Sequence, residues 1–475
     1  MDNNLCTGFD RVGNVEIKIV MDSDTVSRAL DIQLSLNKES KILVVGLGET
    51  GFSVAKFLHR LSLPFAVIDS RDKPPLNDAL LADYPDTPVF TGGFDKAAFD
   101  VATHLIVSPG VSLQEASINR ALLKGAKLVS DIDLFACSTD KPIAAITGSN
   151  GKSTVTTMLG SMGVASGIKT AIGGNLGTPA LDLLDETVEL YVIELSSFQL
   201  ERASVLNAQV ATVLNVSADH LDRHDGIDGY AKEKQKVFLG DGVMVLNEDD
   251  SIVREMERQG RKTIFFSTHK NKGFHLRQYQ GESWLMNEDQ PLMRRQELPL
   301  EGLHNVANAL AAMAMGGEIE LNVTAMCNAL RKFKGLSHRM QRVAEFRGVT
   351  WVNDSKATNI GACVAALEGY QHKVVLIAGG DAKGADMTEL VPAVKESAKC
   401  VVLMGKDADV IDSAINGCVP TYKVETVQQA VAIAVGLAKE GDSVLLSPAC
   451  ASIDQYKSYQ DRGDKFTAAV LALVA

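Results

Sequence analysis

Thr147-Gly148-Ser149-Asn150-Gly151-Lys152-Ser153-Thr154 sets a lysine and two hydroxyls directly after Gly151, with a second glycine, Gly148, three residues earlier. That order of residue types suits phosphate. Glycines let the backbone approach an anion, the N–H groups opening the next helix point at it, and the helix dipole adds a positive end. Lys152 would reach the β- and γ-phosphates, and Ser153 would hold Mg²⁺. The match to G-x-x-x-x-G-K-[ST] is incomplete, because Ile146 stands at its first position. A Gly-rich turn with no ligand is the alternative, and the strand-like run before it and the helical run after it disfavour that. Glu194 ends the apolar run Leu190–Ile193 and suits a Mg²⁺ ligand, though a solvent-facing strand end would read the same. Asp219-His220 follows another such run, and a helix cap with a surface histidine is its bland reading.

These residues need strands that end together. Ile143–Thr147 precedes the loop, and the runs at 190–193, 210–214 and 243–247 carry polar residues at their carboxyl ends. Gly173-Gly174-Asn175-Leu176-Gly177 is a further glycine loop, and residues 271–298 read as small strands and loops decorating the central domain. Upstream, Ile42–Val45 runs into Gly46-Leu47-Gly48-Glu49-Thr50-Gly51, and Phe65–Ile68 into Asp69. Taken alone this G-x-G-x-x-G signals NAD or FAD. The safer inference is a ligand across the carboxyl ends of parallel strands, where Ser108-Pro109-Gly110 also falls. Downstream, four runs end in Asn353-Asp354-Ser355-Lys356, Ala378-Gly379-Gly380-Asp381, Gly405-Lys406-Asp407 and Ser447-Pro448-Ala449-Cys450. Strands alternating with helices predict an α/β chain with parallel sheets.

The chain has 475 residues, too many for one core, and about three domains are expected. The expected boundaries are 39–138, 139–335 and 336–475. Residues 1–38 lack clear periodicity and read as a disordered extension or an upstream start before Met21. A net charge of −12 argues against nucleic acid or an anionic membrane as partner, so anionic substrates must be caught by local Lys and Arg. The seven cysteines form no C-x-x-C, which fits a reducing cytoplasm better than a disulfide framework or a zinc site. Neither a signal peptide nor a run of apolar residues long enough to span a membrane is present. A monomer acting on small molecules is expected.

Together with Glu194-Leu195-Ser196-Ser197-Phe198-Gln199, His304-Asn305, His338-Arg339 and Asp354-Ser355-Lys356-Ala357-Thr358-Asn359, the phosphate loop closely resembles the Mur ligases, ATP-dependent amide ligases of peptidoglycan precursor synthesis. The resemblance covers about residues 40–475 in order. The segments Gly46–Gly51, Trp351–Asn359 and Ser447–Tyr456 are most similar to the member that adds D-glutamate to UDP-N-acetylmuramoyl-L-alanine. The D-N-P-[RA] signature of the diamino-acid-adding relative is absent.

The resemblance implies a Rossmann-like N-terminal domain holding a UDP-sugar rather than a dinucleotide, a central P-loop ATPase domain with a mostly parallel sheet, and a Rossmann-like C-terminal domain for the amino acid. It implies phosphoryl transfer from ATP to the alanyl carboxylate, then attack by the D-glutamate amine on the acyl phosphate. Gly48, Glu49, Thr50, Ser70, Arg71, Ser108, Pro109, Gly110, Asn175 and His220 would hold the UDP-substrate. Gly148, Asn150, Gly151, Lys152, Ser153, Thr154, Asn308, Arg339 and Asp354 would hold ATP. Ser153 and Glu194 would bind one Mg²⁺, and His220 would help bind a second. Thr358, Lys383, Ser452 and the backbone at Ile453 and Tyr459 would hold D-glutamate; Tyr459 stands where Phe is common. The lysines of Tyr230–Lys236 look like a solvated helix face. In the family, however, one of them is carbamylated by CO₂, and spacing from Tyr230 picks Lys234, which makes Lys152, His220 and Lys234 the catalytic set. ATP would sit between the second and third domains, with Ser337–Arg339 near a hinge. Rival readings are another ligase of the superfamily such as a folylpolyglutamate-type synthase, a dinucleotide-dependent oxidoreductase supported only by Gly46–Gly51 and Asp69, and a non-catalytic nucleotide-binding module.

Overall fold

The computed structural model describes residues 22–219, 223–300, 302–370 and 372–474. The described part of 1–142, with 173–191 and 202–206, forms one compact unit; residues 143–172, 192–201 and 207–475 form another. Among the described residues no helix is long and apolar enough to cross a membrane.

In the first unit, short apolar runs become five parallel strands: β1 (Ile42–Val45), β2 (Phe65–Ile68), β3 (Val89–Phe90), β4 (His104–Val107) and β5 (Lys127–Val129). Their order is β3-β2-β1-β4-β5. All four residues of β1 are buried, as a strand covered by helices on both faces requires. Strand order reverses between β1 and β4, so the crevice of a doubly wound sheet opens where Gly46 and Ser108 lie. Gly51 in the following helix, Glu49–Arg60, cannot carry a side chain: a Cβ would stand 2.0 Å from the Gly46 carbonyl oxygen.

The expectation of no ordered element before residue 39 is corrected from residue 22 on. Ser23–Leu34 is a helix whose Asp22 carboxylate caps Asp24 and Thr25 N–H. Val26, Leu30 and Leu34 recur every four residues and are buried, a one-sided apolar stripe masked by the polar residues between them. Buried His104 Nε2 meets the Leu34 carbonyl at 3.2 Å and ties the helix end down. Residues 1–21 lie outside the described chain.

The second sheet has nine strands: β6 (Ile143–Thr147), β7 (Thr170–Gly174), β8 (Leu190–Glu194), β9 (Val210–Val213), β10 (Val243–Asn247), β11 (Thr263–Ser267), β12 (Phe274–Tyr279), β13 (Glu282–Asn287) and β14 (Gln290–Arg294). The order is β14-β13-β12-β11-β10-β9-β6-β8-β7. Strands β6, β9, β10 and β11 are parallel neighbours. The segment expected to decorate the central domain instead extends its sheet: β12 joins β11 in parallel and leads into an antiparallel hairpin pair. These strands are mostly half-buried and carry no long apolar run to announce a sheet. The Ala/Met-rich helix Leu303–Glu318 is buried almost all round and packs on helix Lys152–Ala165.

The third sheet contains β15 (Gln341–Phe346), β16 (Val349–Asn353), β17 (Val374–Gly379), β18 (Ala398–Met404), β19 (Thr421–Lys423) and β20 (Ser443–Leu446). The order β15-β16-β20-β17-β18-β19 puts β20 between β16 and β17. Apart from antiparallel β15, its strands are parallel, so their carboxyl ends share one edge. The buried Arg462 guanidinium knits that edge together, donating to Ser355 O at 2.8 Å and Cys450 O at 3.2 Å.

Candidate active site

The phosphate loop leaves β6 beside the end of β9. Asn215, just past β9, acts as a template for it: its Oδ1 accepts from Asn150 N–H at 2.8 Å and its Nδ2 donates to Asn150 O at 3.1 Å. Gly151 has φ +83°, and a Cβ there would meet Asn308 Oδ1 at 2.4 Å, so only glycine fits. Helix Lys152–Ala165 starts at once, with buried Ser153 in its first turn.

Three side chains from distant segments, Glu194, Arg339 and Lys234, close on this turn, and Lys152 folds back onto it. Ser153 Oγ donates to Glu194 Oε2 at 2.6 Å, and Arg339 Nη2 donates to Ser153 Oγ at 2.8 Å. Lys152 Nζ donates to the Gly148 and Ser149 carbonyls, each at 2.8 Å. Lys234 Nζ also donates to Gly148 O at 2.8 Å and lies 4.2 Å from the centre of the Tyr230 ring. Lys234 is therefore no solvated face residue; it is 1 % exposed. Burial, reinforced by the Lys152 charge, holds its amine well below the usual lysine range, with Asp219 and Glu194 pulling the other way. Burial likewise lowers Lys152, against Glu194 and Asp219. His220 lies outside the described residues.

A cavity of about 510 Å³ opens beside the loop, lined by Asn150, Gly151, Thr154, Asn305, Asn308, Arg339 and Asp354 among others. Asn305 and Asn308 share a helix face, as their spacing predicts, 3.4 Å apart. Asp354 is buried and pushed up to about 7 by that burial, although Ser447 Oγ and the Met340 N–H both donate to it. Arg339 is flanked by His338 at φ +61° and Met340 at φ +44°, left-handed conformations that cost energy in non-glycine residues and turn the guanidinium toward Ser153.

Lys356, in the Asp354–Asn359 run, is a residue of the site that the motif alone does not single out. It lines the same cavity, its Nζ is 4.1 Å from the centre of the Tyr459 ring, and burial beside Arg339 and Lys152 lowers it to about 8. Its place in a polar run just past the carboxyl end of β16 was the available signal. Around the third sheet's edge, Ser452 is buried, Thr358 is half-buried, and Lys383 and Ile453 are exposed. Lys383 sits at φ +51° with its N–H on Asp381 Oδ1 at 2.9 Å. Tyr459 opens the last helix, and its carbonyl accepts from Ser355 Oγ at 2.8 Å. Lys406, read as surface, is 63 % exposed and 3.5 Å from Asp381.

In the first unit, Ser108 Oγ donates to Gly46 O at 2.8 Å and joins the two loops of the β1/β4 crevice. Asp69 is not free to hold a ribose. It accepts from Leu47 N–H at 2.7 Å and from Arg71 Nη2 at 2.6 Å. Burial alone would raise its carboxyl, but the Arg71 and Leu47 hydrogen bonds win and bring it to about 2. Arg71 is thus half engaged in shaping the loop. Gly48 and Thr50 are half-buried, while Glu49, Ser70, Gly110 and Asn175 are exposed.

Among the described residues no group of three or more His, Cys, Asp or Glu could hold a metal. Mg²⁺ needs no such cage beside a phosphate loop, because it keeps water and substrate oxygens as ligands. The buried Glu194 carboxylate against the Ser153 hydroxyl has the hard oxygen donors that fit it.

Three family models match in order along the chain: Mur ligase MurD-like, N-terminal domain, at residues 40–130; Mur ligase middle domain at 146–316; and Mur ligase, glutamate ligase domain, at 338–450. The UDP-N-acetylmuramoylalanine--D-glutamate ligase of Methylococcus capsulatus is 50 % identical over 444 residues, covering 93 % of this chain and 97 % of its own. The enzyme of that name from Pseudomonas aeruginosa is 48 % identical, covering 90 % and 97 %. Among solved structures, the UDP-N-acetylmuramate-alanine ligase of Thermotoga maritima matches with a TM-score of 0.59 at 17 % identity, over 91 % of this chain and 99 % of its own, a likeness of fold. A phosphate loop, a doubly wound sheet before it and another after it, and close relatives along nearly the whole length place this chain in the Mur ligase family.

Proposed function

We infer that this chain is the ATP-dependent ligase that joins D-glutamate to UDP-N-acetylmuramoyl-L-alanine in peptidoglycan precursor synthesis. The observation that carries the chemistry is Ser153, held between Glu194 and Arg339 on a phosphate loop that Lys152 and Lys234 both touch. The glutamate assignment rests on the relatives' name.

A carboxylate and an amine do not condense in water unaided. An oxygen of the alanyl carboxylate attacks the γ-phosphorus, ADP leaves, and an acyl phosphate forms. The amine nitrogen of D-glutamate then attacks the acyl carbon, phosphate leaves, and the nitrogen loses a proton. The protein's task is to hold mutually repelling anions together with fixed cations. In this reading Lys152 and Arg339 face the β- and γ-phosphates, Gly148, Asn150, Gly151 and Thr154 support them, and Asn308 and Asp354 bind the nucleoside. Ser153, Glu194, His220 and a carbamylated Lys234 would hold Mg²⁺, which would neutralise charge on the phosphates and the acyl carboxylate. The buried, readily neutral Lys234 amine suits CO₂ uptake, since only the neutral amine reacts. The β1/β4 crevice, with Gly48–Thr50, Ser70, Arg71 and Ser108–Gly110, takes the UDP end, and Asn175 the muramoyl part. Thr358, Lys383, Ser452, Ile453 and Tyr459 take D-glutamate. The domain boundaries 39–138, 139–335 and 336–475, a hinge at Ser337–Arg339 and a cytoplasmic monomer belong to the same reading.

The test is phosphate release with ATP, Mg²⁺ and UDP-N-acetylmuramoyl-L-alanine, adding D-glutamate, L-glutamate or a diamino acid in turn. Release with D-glutamate alone is expected. Release with another amino acid would keep the mechanism and move the error to the third sheet's edge.

A further inference from the structure

Asn359 is the N-cap of helix Ile360–Glu368, its Oδ1 accepting from the Ala362 N–H at 2.8 Å. Capping uses only the oxygen. The two hydrogens of the amide nitrogen point elsewhere, to Asp219 Oδ2 at 3.2 Å and Asn150 Oδ1 at 3.3 Å. Chemistry settles this orientation, because a backbone N–H must meet the oxygen and a carboxylate must meet the nitrogen.

Both partners lie at the reaction's centre. Asn150 is in the phosphate loop, gripped from the far side by Asn215. Asp219 acts electrostatically on both Lys152 and Lys234 and favours their charged forms. Gly361 makes the close approach possible, since a Cβ there would stand 2.9 Å from Ser217 Oγ. One side chain on the third sheet's edge thus caps the start of a helix and spans to two loops of the central sheet, 209 residues away in the case of Asn150.

We propose that Asn359 is a positioning residue for the ligase reaction, latching the third sheet to the phosphate loop and to Asp219 so that closure fixes the loop's geometry. This rests on the proposed reaction, in which ATP from the central loop must meet an amine held by the third sheet. Misplacement of reacting groups by a fraction of a bond length lowers the rate without touching a reacting atom.

Capping and latching separate by substitution. Asn359→Ser and Asn359→Asp keep good N-caps. Serine is too short to reach Asp219, and aspartate turns a carboxylate toward it. Both variants should unfold at the parent's temperature. The turnover number should fall about tenfold in Asn359→Ser, as expected for a lost hydrogen bond to a charged group, and further in Asn359→Asp. The KM for ATP should move less than kcat. Amide hydrogens of residues 148–153 should exchange faster in both. Adding Asp219→Asn to Asn359→Asp restores a donor–acceptor pair and should recover part of the lost turnover. Parent-like kcat in both single variants overturns the proposal, as capping alone predicts. If the parent releases no phosphate with D-glutamate, the reading of the reaction fails, and unchanged exchange at 148–153 then overturns the latch by itself.

Discussion

Lys234 and Asp354 show how burial, more than residue type, sets what a side chain can do. Lys234 resembles its neighbours Lys232 and Lys236 in sequence, yet it alone of the three is buried, with its amine on the phosphate loop. Lys234→Ala is expected to lower turnover by about a hundredfold or more, the scale of losing a preorganised charge at a reacting phosphate. Short carboxylic acids should restore part of that activity by supplying the missing anion, and ¹³C-bicarbonate should give a carbamate signal in the parent that the variant lacks. Failure of both would remove the carbamate from the reading. Asp354 makes a pH prediction. An aspartate in the unfolded chain titrates near 4, whereas folding raises this one to about 7, so the folded state holds an extra proton between those values. Its contribution to stability is greatest at low pH and is lost as pH rises through about 7. Asp354→Asn should therefore stabilise the protein above that pH, by at most roughly 4 kcal/mol, and have little effect below about pH 4. Thermal unfolding at about pH 5 and about pH 8 measures the difference, and a weaker ATP affinity should accompany it.

Among the elements, helix Ser23–Leu34 was the least legible. Its three buried residues are separated by charged and polar ones, and nothing local says what covers them. Its partners come from elsewhere in the chain: Val26, Leu30 and Leu34 are buried, and His104 of β4 meets the Leu34 carbonyl. Leu30→Ala should destabilise this compact unit by roughly 3 kcal/mol, a transfer term plus a cavity term. Hydrogen exchange along β1 and β4 would read it, and unchanged protection there would show that the helix docks without contributing. The strands that end in glycine loops were read more easily, because each is a contiguous run of buried residues followed by its own turn residues. The hairpin strands β12–β14 read as small strands, but their mixed, half-buried composition does not say that they extend the central sheet.

Across the molecule, the loops at the carboxyl edges of the second and third sheets belong to one compact unit, and in the proposed reading they hold ATP and the amino acid. If ATP and amino acid must meet there, ligands should draw the two sheets' domains together. Small-angle scattering should show a smaller radius of gyration with a nonhydrolysable ATP analogue, UDP-N-acetylmuramoyl-L-alanine and D-glutamate than without them. Identical profiles would refute closure. The Asn359→Asp variant should close less completely in the same measurement.

The α/β class, the phosphate loop and the family motifs were readable from sequence because each is a contiguous string whose physics is local: a buried run, glycines that admit an anion, a helix that starts on cue. The loss of Asp69 to Leu47 and Arg71 was not readable, since G-x-G-x-x-G with a following acid describes spacing and not which hydrogen bonds are already taken. Nor were the encounters that make the site. Ser153 meets Glu194 across 41 residues and Arg339 across 186, and Lys234 meets Gly148 across 86. Such pairs depend on strand order and domain packing, and the lowered amine of Lys234 and the raised carboxyl of Asp354 depend on how completely those contacts exclude water.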